Sequence, residues 1–283
     1  MEFPLSSKVA PRLEYLAEVG STNDVMAGHA SGPDAAAWPN LSVVVSDNQT
    51  RGRGRLGRTW LAPTGKSLAI SVILRPTTLD GQPLPPDQLG WFPLLAGAAM
   101  TRAVRGVVEA SAARPRPYDA PGEDAPRHEV TLKWPNDVLI DGYKVSGVLS
   151  ELLPDARGLI IGTGLNLSLD EHDLPTLTST SLLLVTGSSP SPDAVLARYL
   201  TELRDLAGAF TAAGGDAVAS GLLEQVTELC GTLGSPVRVE LPGGTDLIGT
   251  AIALDTHGRL IVEDHANGEL QAVAAGDVTH LRY

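Results

Sequence analysis

Residues 51–60 carry the densest set of possible ligand-binding groups in the chain, reading Arg-Gly-Arg-Gly-Arg-Leu-Gly-Arg-Thr-Trp. Each guanidinium offers a planar fork of donors that matches carboxylate or phosphate oxygens. The interleaved glycines let the backbone adopt positive φ and approach a ligand closely. The pattern predicts a flexible loop that wraps a small anion, although a charge run is also typical of a solvated surface segment.

Three other interpretations compete for this stretch. The Gly-x-Gly-x-x-Gly spacing over residues 52–57 matches the dinucleotide fingerprint, but that motif needs a helix straight after the glycines, and a strand is predicted at 67–74. Gly-Lys-Ser at 65–67 ends like a P-loop, but the first glycine of that motif would fall on Trp60. The third alternative is a disordered Arg/Gly segment that binds RNA.

A second candidate segment is the Lys-Trp-Pro-Asn-Asp sequence at residues 133–137, between predicted strands 129–134 and 138–140. Pro-Asn-Asp is typical of a turn. The chain contains only four lysines, and two of them, Lys133 and Lys144, bracket this hairpin. Because a compact ammonium differs from a guanidinium fork, lysine here indicates a specific ionic role. The alternative is a hairpin whose lysines are solvated.

Smaller polar groups lie at the ends of predicted elements. Ser21 or Thr22 is expected to cap a helix, and its hydroxyl either holds a polar ligand or acts only as the cap. Trp60 either stacks on a base or packs in the core. The Gly-Thr-Gly-Leu-Asn sequence at 162–166 ends a strand, where glycines admit a nucleotide close to the backbone or form a bulge.

Hydrophobic periodicity divides the chain into a large mixed region and a small β region. The larger region has predicted strands at 12–19, 41–46, 67–74, 129–134, 138–140 and 158–163, and predicted helices from 21, at 88–110, at 193–210 and at 216–229. After a boundary at 231–235, strands are predicted at 236–241, 247–254, 259–262, 270–274 and 278–281. We therefore expect one domain at 1–232 and a second at 233–283, with a surface loop at 111–127.

Composition limits the possible partners. With 283 residues and a hydrophobic share of 43%, the chain can bury a sizeable core. Its net charge of −12 argues against broad binding to nucleic acid or anionic membrane. Cys230 is the only cysteine, which suits a reducing compartment, and we expect a cytoplasmic protein. The scattered histidines predict no structural zinc site.

Taken together, these segments resemble the biotin protein ligases. The motifs that carry the resemblance occur in the family's order and are Ser21-Thr22-Asn23, Gln49, the loop at 52–60, Lys133-Trp134-Pro135-Asn136-Asp137, Lys144-x-x-Gly147-x-Leu149-x-Glu151 and Gly162-x-Gly164-x-Asn166. The resemblance implies an α+β fold with a mixed sheet like that of class II aminoacyl-tRNA synthetases. It also implies a C-terminal SH3-like β-barrel.

The implied reaction is activation of biotin by ATP to biotinyl-5′-AMP, followed by transfer to a lysine of a biotin carboxyl carrier protein or carboxylase subunit. ATP with Mg²⁺ and biotin are then substrates, and no tightly bound metal is expected. Some members of this family carry an N-terminal DNA-binding domain, but the first family strand here begins near residue 12, so the expected protein is a monofunctional enzyme that does not bind DNA. The acidic net charge argues against membrane binding. The expected state is a monomer or a weak, ligand-dependent homodimer.

The same resemblance implies roles for individual residues. Those implied in catalysis are Lys144, Arg53, Arg55 and Asp137. Those implied to bind biotin are Ser21, Thr22, Asn23, Gln49, Gly52, Arg53, Gly54, Arg55, Lys144 and Gly147. Those implied to bind the nucleotide are Arg58, Trp60, Lys133, Asn136, Gly164 and Asn166. Asp137 is also implied to position Mg²⁺ or the incoming lysine.

Two alternatives belong to different classes. A lipoate ligase on a related scaffold would act on another acyl group, and the pairing of the Gly-Arg loop with Lys-Trp-Pro-Asn-Asp favours biotin instead. An RNA-binding protein would use the arginine loop without catalysis. The acidic net charge and the lack of RNP or KH signatures argue against it.

Overall fold

The computed structural model describes residues 1–113, 127–241, 244–274 and 276–281. Nearly all of the loop predicted at 111–127 lies outside the described residues. Within the described ranges the helices are α1 Thr22–Ser31, α2 Phe92–Ala112, α3 Leu182–Thr186, α4 Pro192–Ala212 and α5 Leu222–Leu229. The strands are β1 Leu13–Leu16, β2 Val43–Ser46, β3 Ser67–Leu74, β4 Val130–Lys133, β5 Asp137–Ile140, β6 Tyr143–Leu152, β7 Leu159–Asn166, β8 Pro236–Glu240, β9 Asp246–Leu254, β10 Leu260–Asp264, β11 Leu270–Val273 and β12 Asp277–His280.

The first seven strands form one mixed sheet in the order β1-β2-β3-β7-β6-β5-β4. β1 and β2 are parallel, and the other neighbours are antiparallel. The interior strand β3 is buried on both faces, which explains its nearly continuous apolar sequence. Ile70 and Val72 join the core beneath α2 and α4, whereas Ile73 packs on the opposite face with Met26 of α1.

Helix boundaries follow local capping chemistry. Ser21 caps α1 by accepting the Asp24 N–H, and Ser191 caps α4 directly before Pro192. The prediction of one helix over 216–229 was wrong in its first part. There the Asp216 carboxylate accepts the N–H groups of Val218 and Ala219 in a local turn, and α5 begins only after Gly221, whose φ is 70°.

The last five strands form a separate antiparallel sheet in the order β11-β10-β9-β8-β12. Two buried tryptophans attach it to the larger region: Trp91 Nε1 donates to the Thr256 carbonyl and Trp134 Nε1 to that of Gly258, both at 3.0 Å. The predicted α+β fold with a small β domain is therefore confirmed. No helix in the described part of the chain is long and apolar enough to cross a membrane.

Candidate active site

The candidate site is a cavity of about 690 Å³ above the large sheet. Its walls come from the start of α1, the 51–60 loop, the β4–β6 hairpins, the end of β7, residues 175–179 and strand β12. Every predicted site residue except Gly52 lines it. Gly52 lies behind the wall, where an added Cβ would collide with the Trp60 carbonyl oxygen.

A buried polar network forms the wall at the start of α1. The Gln49 Oε1 atom accepts hydrogen bonds from the Thr22 N–H at 2.7 Å and from its hydroxyl at 3.0 Å. Ser71 Oγ donates to Thr22 Oγ1 or Asn23 Oδ1, which lie 2.8 and 2.6 Å away. Asn23 Nδ2 donates to Glu151 at 2.5 Å. Because these side chains hold one another, they present fixed donors and acceptors to a ligand.

The 51–60 loop folds back on itself over the cavity. Trp60 N–H donates to the Gly52 carbonyl at 2.9 Å, and Gly54 N–H donates to the Arg58 carbonyl at 2.7 Å. At the tip, Leu56 and Gly57 adopt φ of 55° and 72°. The loop therefore has a defined hairpin-like shape in which its arginines point to different neighbours.

Arg53 is held by carboxylates on the helix side of the cavity. Its guanidinium bonds both oxygens of Asp24 at 2.6 and 2.9 Å and lies 3.5 Å from Glu151. This hydrogen bonding lowers the pKa of the Asp24 carboxyl and raises that of Arg53. Arg53 thus links the loop to the buried polar network through Glu151.

Arg55 and Arg58 link the loop to the other wall. Arg55 donates to Asn136 Oδ1 and to the Gly276 carbonyl, both at 3.0 Å. Its pKa is lowered by burial. Arg58 pairs with Asp277 at the start of β12. The small C-terminal sheet therefore holds two arginines of the loop and forms part of the site.

Two lysines lie on the hairpin wall. Lys144 Nζ is 2.6 Å from Asp137 Oδ1. A Cβ at Gly147 would be 2.9 Å from this ammonium, so glycine leaves room for it. Burial lowers the pKa of Lys133, while the charges of Asp137 and Asp277 oppose that shift. Arg53, Arg55, Lys133 and Lys144 all line one cavity, as the sequence-based hypothesis requires.

Trp60 lies against the end of β7. A Cβ at Gly164 would be 2.6 Å from the indole, so this glycine permits the contact. Trp60 is partly exposed to the cavity and is not a core residue. Asn136 Nδ2 donates to the Val148 carbonyl at 2.6 Å, and Asn166 Nδ2 to that of Thr180 at 2.9 Å. Both asparagines therefore also fix the surrounding backbone.

This arrangement suits chemistry between anions. The cationic side chains offset negative charge on a bound acid or phosphate, and the polar network suits an uncharged polar group. Among the described residues, no three His, Cys, Asp or Glu side chains form a possible metal cluster. Asp137 is a single carboxylate facing Lys144, so a cation here would need oxygens from a ligand.

Two parts of the chain match known protein-family models. Residues 20–166 match the model of the biotin/lipoate A/B protein ligase family, and residues 232–281 match that of the biotin protein ligase C-terminal domain. A Mycobacterium tuberculosis protein named biotin–[acetyl-CoA-carboxylase] ligase is 35% identical over 96% of this chain and 90% of its own length. The chain belongs to the biotin protein ligase family.

Solved biotin protein ligase structures have the same fold. The Aquifex aeolicus protein in complex with biotin and ATP gives a TM-score of 0.71 at 25% identity, covering 96% of this chain and 99% of that one. The Leishmania major protein in complex with biotinyl-5-AMP gives 0.58 at 28% identity, with 94% and 99% covered. Both sheets of this chain therefore belong to the fold that it shares with solved biotin protein ligases.

Sequence reasoning missed three residues of the ligase cavity and its supports. Ser71 is a fully buried hydroxyl flanked by apolar residues in the middle of β3, and that position was the available signal. Asp24 and Asp277 bind loop arginines, but neither stands out in a chain with 33 acidic residues. Their roles follow only from the positions of distant segments.

Proposed function

We propose that this chain is a biotin protein ligase that activates biotin with ATP and transfers it to a lysine of a carrier protein. The observation that carries the proposal is the convergence of Arg53, Arg55, Lys133 and Lys144 on one cavity beside the start of α1. The family membership and the 35% identity to a named biotin ligase support the same activity.

In the first step a carboxylate oxygen of biotin attacks the α-phosphorus of ATP, and pyrophosphate leaves. Two anions must meet, so their repulsion has to be offset by cations. We assign this task to Lys144, Arg53 and Arg55. The network of Ser21, Thr22, Asn23 and Gln49 would hold the rest of biotin, beside Gly54 and Gly147 in the cavity wall. Gly52 does not line the cavity and acts indirectly, by leaving room for the Trp60 carbonyl.

The nucleotide would occupy the opposite part of the cavity. Trp60 offers an indole face beside Gly164, which suits stacking on adenine. Arg58 and Lys133 would face phosphate oxygens, and Asn136 and Asn166 would border the nucleotide. Mg²⁺ would arrive bound to ATP, because a triphosphate supplies the oxygens that Asp137 alone lacks. Asp137 would contribute a single carboxylate to that ion or orient the incoming lysine.

In the second step the amine nitrogen of the carrier lysine attacks the acyl carbon of biotinyl-5′-AMP. AMP leaves, an amide bond forms, and the amine loses a proton. The mixed anhydride hydrolyses in water, so it must be shielded until the carrier arrives. The 51–60 loop, tied to both walls through its arginines, is suited to that shielding.

Several further properties are part of the proposal. The partner would be a biotin carboxyl carrier protein or carboxylase subunit, and the protein would act as a monomer or weak ligand-dependent dimer without binding DNA. A cytoplasmic location suits the single buried thiol, Cys230. The catalytic domain would comprise residues 1–232 and the C-terminal domain 233–283, a division supported by the C-terminal family match from 232.

The decisive experiment is biotin-dependent ATP–pyrophosphate exchange, followed by mass spectrometry of a carrier domain incubated with the enzyme, biotin and ATP. We expect exchange with biotin and one added biotinyl group on the carrier. Lipoate is the control substrate in place of biotin, because a lipoate ligase is the alternative enzyme. Exchange with lipoate but not biotin would overturn the assignment, as would salt-sensitive RNA binding without any exchange.

A further inference from the structure

Lys66 is a lysine near the site to which the proposed reaction assigns no role. It lies just before β3 and does not line the cavity. Four of the 21 Lys and Arg residues are lysines, and Lys133 and Lys144 both face the cavity. The polar partners of the Lys66 side chain lie instead in the segment that follows β7.

The side chain of Lys66 binds two carboxylates of a single loop. Its ammonium donates to Asp170 Oδ2 at 2.9 Å and also to Asp173. Lys66 is the largest cause of the low pKa of Asp170, about 2, and the hydrogen bond to Asp173 raises the pKa of Lys66. One ammonium thus joins two points of residues 167–180, called here the 167–180 loop.

The backbone of Lys66 holds the start of the same loop. Its carbonyl accepts the N–H groups of Leu167 at 3.1 Å and Ser168 at 2.9 Å. The side chain of Lys66 ties Asp170 and Asp173, in the middle of the loop, to the start of β3. The start and middle of the loop are therefore both fixed to the N-terminal end of β3 by Lys66.

The far end of the loop reaches the catalytic candidates. Lys144 N–H donates to the Thr178 carbonyl, and Thr180 N–H donates to the Lys144 carbonyl, both at 2.8 Å. The Thr180 carbonyl in turn accepts from Asn166. Residues 175, 176, 178 and 179 line the cavity. A displacement of the loop would therefore move a cavity wall and the backbone of Lys144 together.

We propose that Lys66 is a positioning residue of the ligase, which clamps Asp170 and Asp173 so that the 167–180 loop forms the cavity wall beside Lys144. This inference rests on the proposed function for the identity of the ligand at that wall. A loop without helix or strand needs such ties, because its backbone makes few regular hydrogen bonds. Because the ion pairs are partly exposed, the clamp acts mainly by restricting the loop and adds little stability to the fold.

The first test measures the loop without reference to activity. Hydrogen–deuterium exchange on the full chain compares the wild type with Lys66→Met, which keeps the length of the side chain and removes its charge. We expect exchange in peptides covering 167–180 to accelerate about tenfold, while peptides of β3 and α2 stay unchanged. Lys8→Met, outside the cavity, is the control. Unchanged protection of 167–180 would overturn the clamp even if the protein proves not to be a ligase.

The second test measures catalysis in the same variants. In biotin-dependent exchange, Lys66→Met should raise KM for ATP about tenfold and lower kcat severalfold, because the displaced loop moves both the wall beside Asn166 and the backbone of Lys144, while the Kd for biotin should change little. Lys66→Arg should restore most of the loss. If Lys66→Met fails to fold, the double variant Asp170→Asn/Asp173→Asn removes the same ion pairs from the loop. It should show both the faster hydrogen–deuterium exchange of residues 167–180 and the altered kinetics. Equal KM values for a folded variant and wild type would refute the positioning role, whereas absence of exchange in the wild type would refute the proposed function.

Discussion

The two sides of the cavity are constructed differently. Thr22 and Asn23 at the start of α1 and Ser71 of β3 are 3%, 5% and 0% exposed, and their side chains form one hydrogen-bonded network. On the loop side, the side chains of Arg53 and Arg58 are 42% and 61% exposed and are held by ion pairs. Both sides offer polar groups to the same cavity, but only on the first side do buried hydrogen bonds hold them in place.

Because of this difference, one side of the cavity is suited to recognising the ligand and the other to retaining it. Buried polar groups that satisfy one another are rigid, and leaving one unpaired costs about 1–3 kcal/mol. Exposed ion pairs contribute only about 0–1 kcal/mol each, so they can break and form again. The buried network is therefore suited to select the ligand. The 51–60 loop, whose ties reach both Asp24 and the C-terminal sheet, is suited to open and close.

The largest expected effect comes from Lys144, which belongs to neither side and lies where the two substrates would react. Lys144→Ala should lower the rate of biotin-dependent pyrophosphate exchange about 100- to 1,000-fold, because it removes charge stabilisation from the reacting anions. The fold and the Kd for biotin should change little. Lys8→Ala is the control. Exchange close to the wild-type rate would remove Lys144 from the mechanism.

The buried side of the comparison is tested by Asn23→Ala. Loss of this amide leaves Glu151 and Ser71 short of a partner, so the free energy of unfolding should fall by about 1–3 kcal/mol. Calorimetry should show that the Kd for biotin rises about tenfold to a hundredfold. Asp24→Ala on the exposed next residue is the matched control. Equal effects at the two positions would contradict a locked network.

The loop side is tested by Arg55→Gly. This change removes the hydrogen bonds to Asn136 and Gly276, so the loop should cover the intermediate less well. Quench-flow analysis should detect about a tenfold rise in released biotinyl-AMP, with a smaller change in biotin affinity. Leu56→Ala, at the exposed tip of the loop, is the control. If release does not rise, the loop is not the retaining element.

The smallest effect is expected for Asp277→Asn, which removes the carboxylate that pairs with Arg58. Since this pair is exposed, release of biotinyl-AMP should rise only about twofold, and the difference should shrink as salt increases. The same quench-flow assay at low and high salt measures it. An effect as large as that of Arg55→Gly would mean that the C-terminal sheet governs loop closure through this ion pair.

Much of the fold followed from local patterns in the sequence. Strand β3 was predicted at its observed bounds because eight nearly apolar residues form a buried run. The helix predicted from 216 failed because Asp216 turns the backbone locally and Gly221 adopts positive φ before α5. Helix propensity averaged over a window of residues does not detect a single side chain, such as Asp216, that binds nearby backbone N–H groups and favours a turn over a helix.

For the candidate site, the sequence by itself determined which chemical groups are present: a glycine-spaced arginine loop, a lysine hairpin and a capped helix start. These are properties of neighbouring residues, and the family resemblance assigned their ligands. Only the tertiary structure decided which carboxylate meets which cation. Arg58 and Asp277 are 219 positions apart, and Asn23 and Glu151 are 128 apart. Such pairs form because the strand order brings distant segments together, and no local signal in the sequence specifies that proximity.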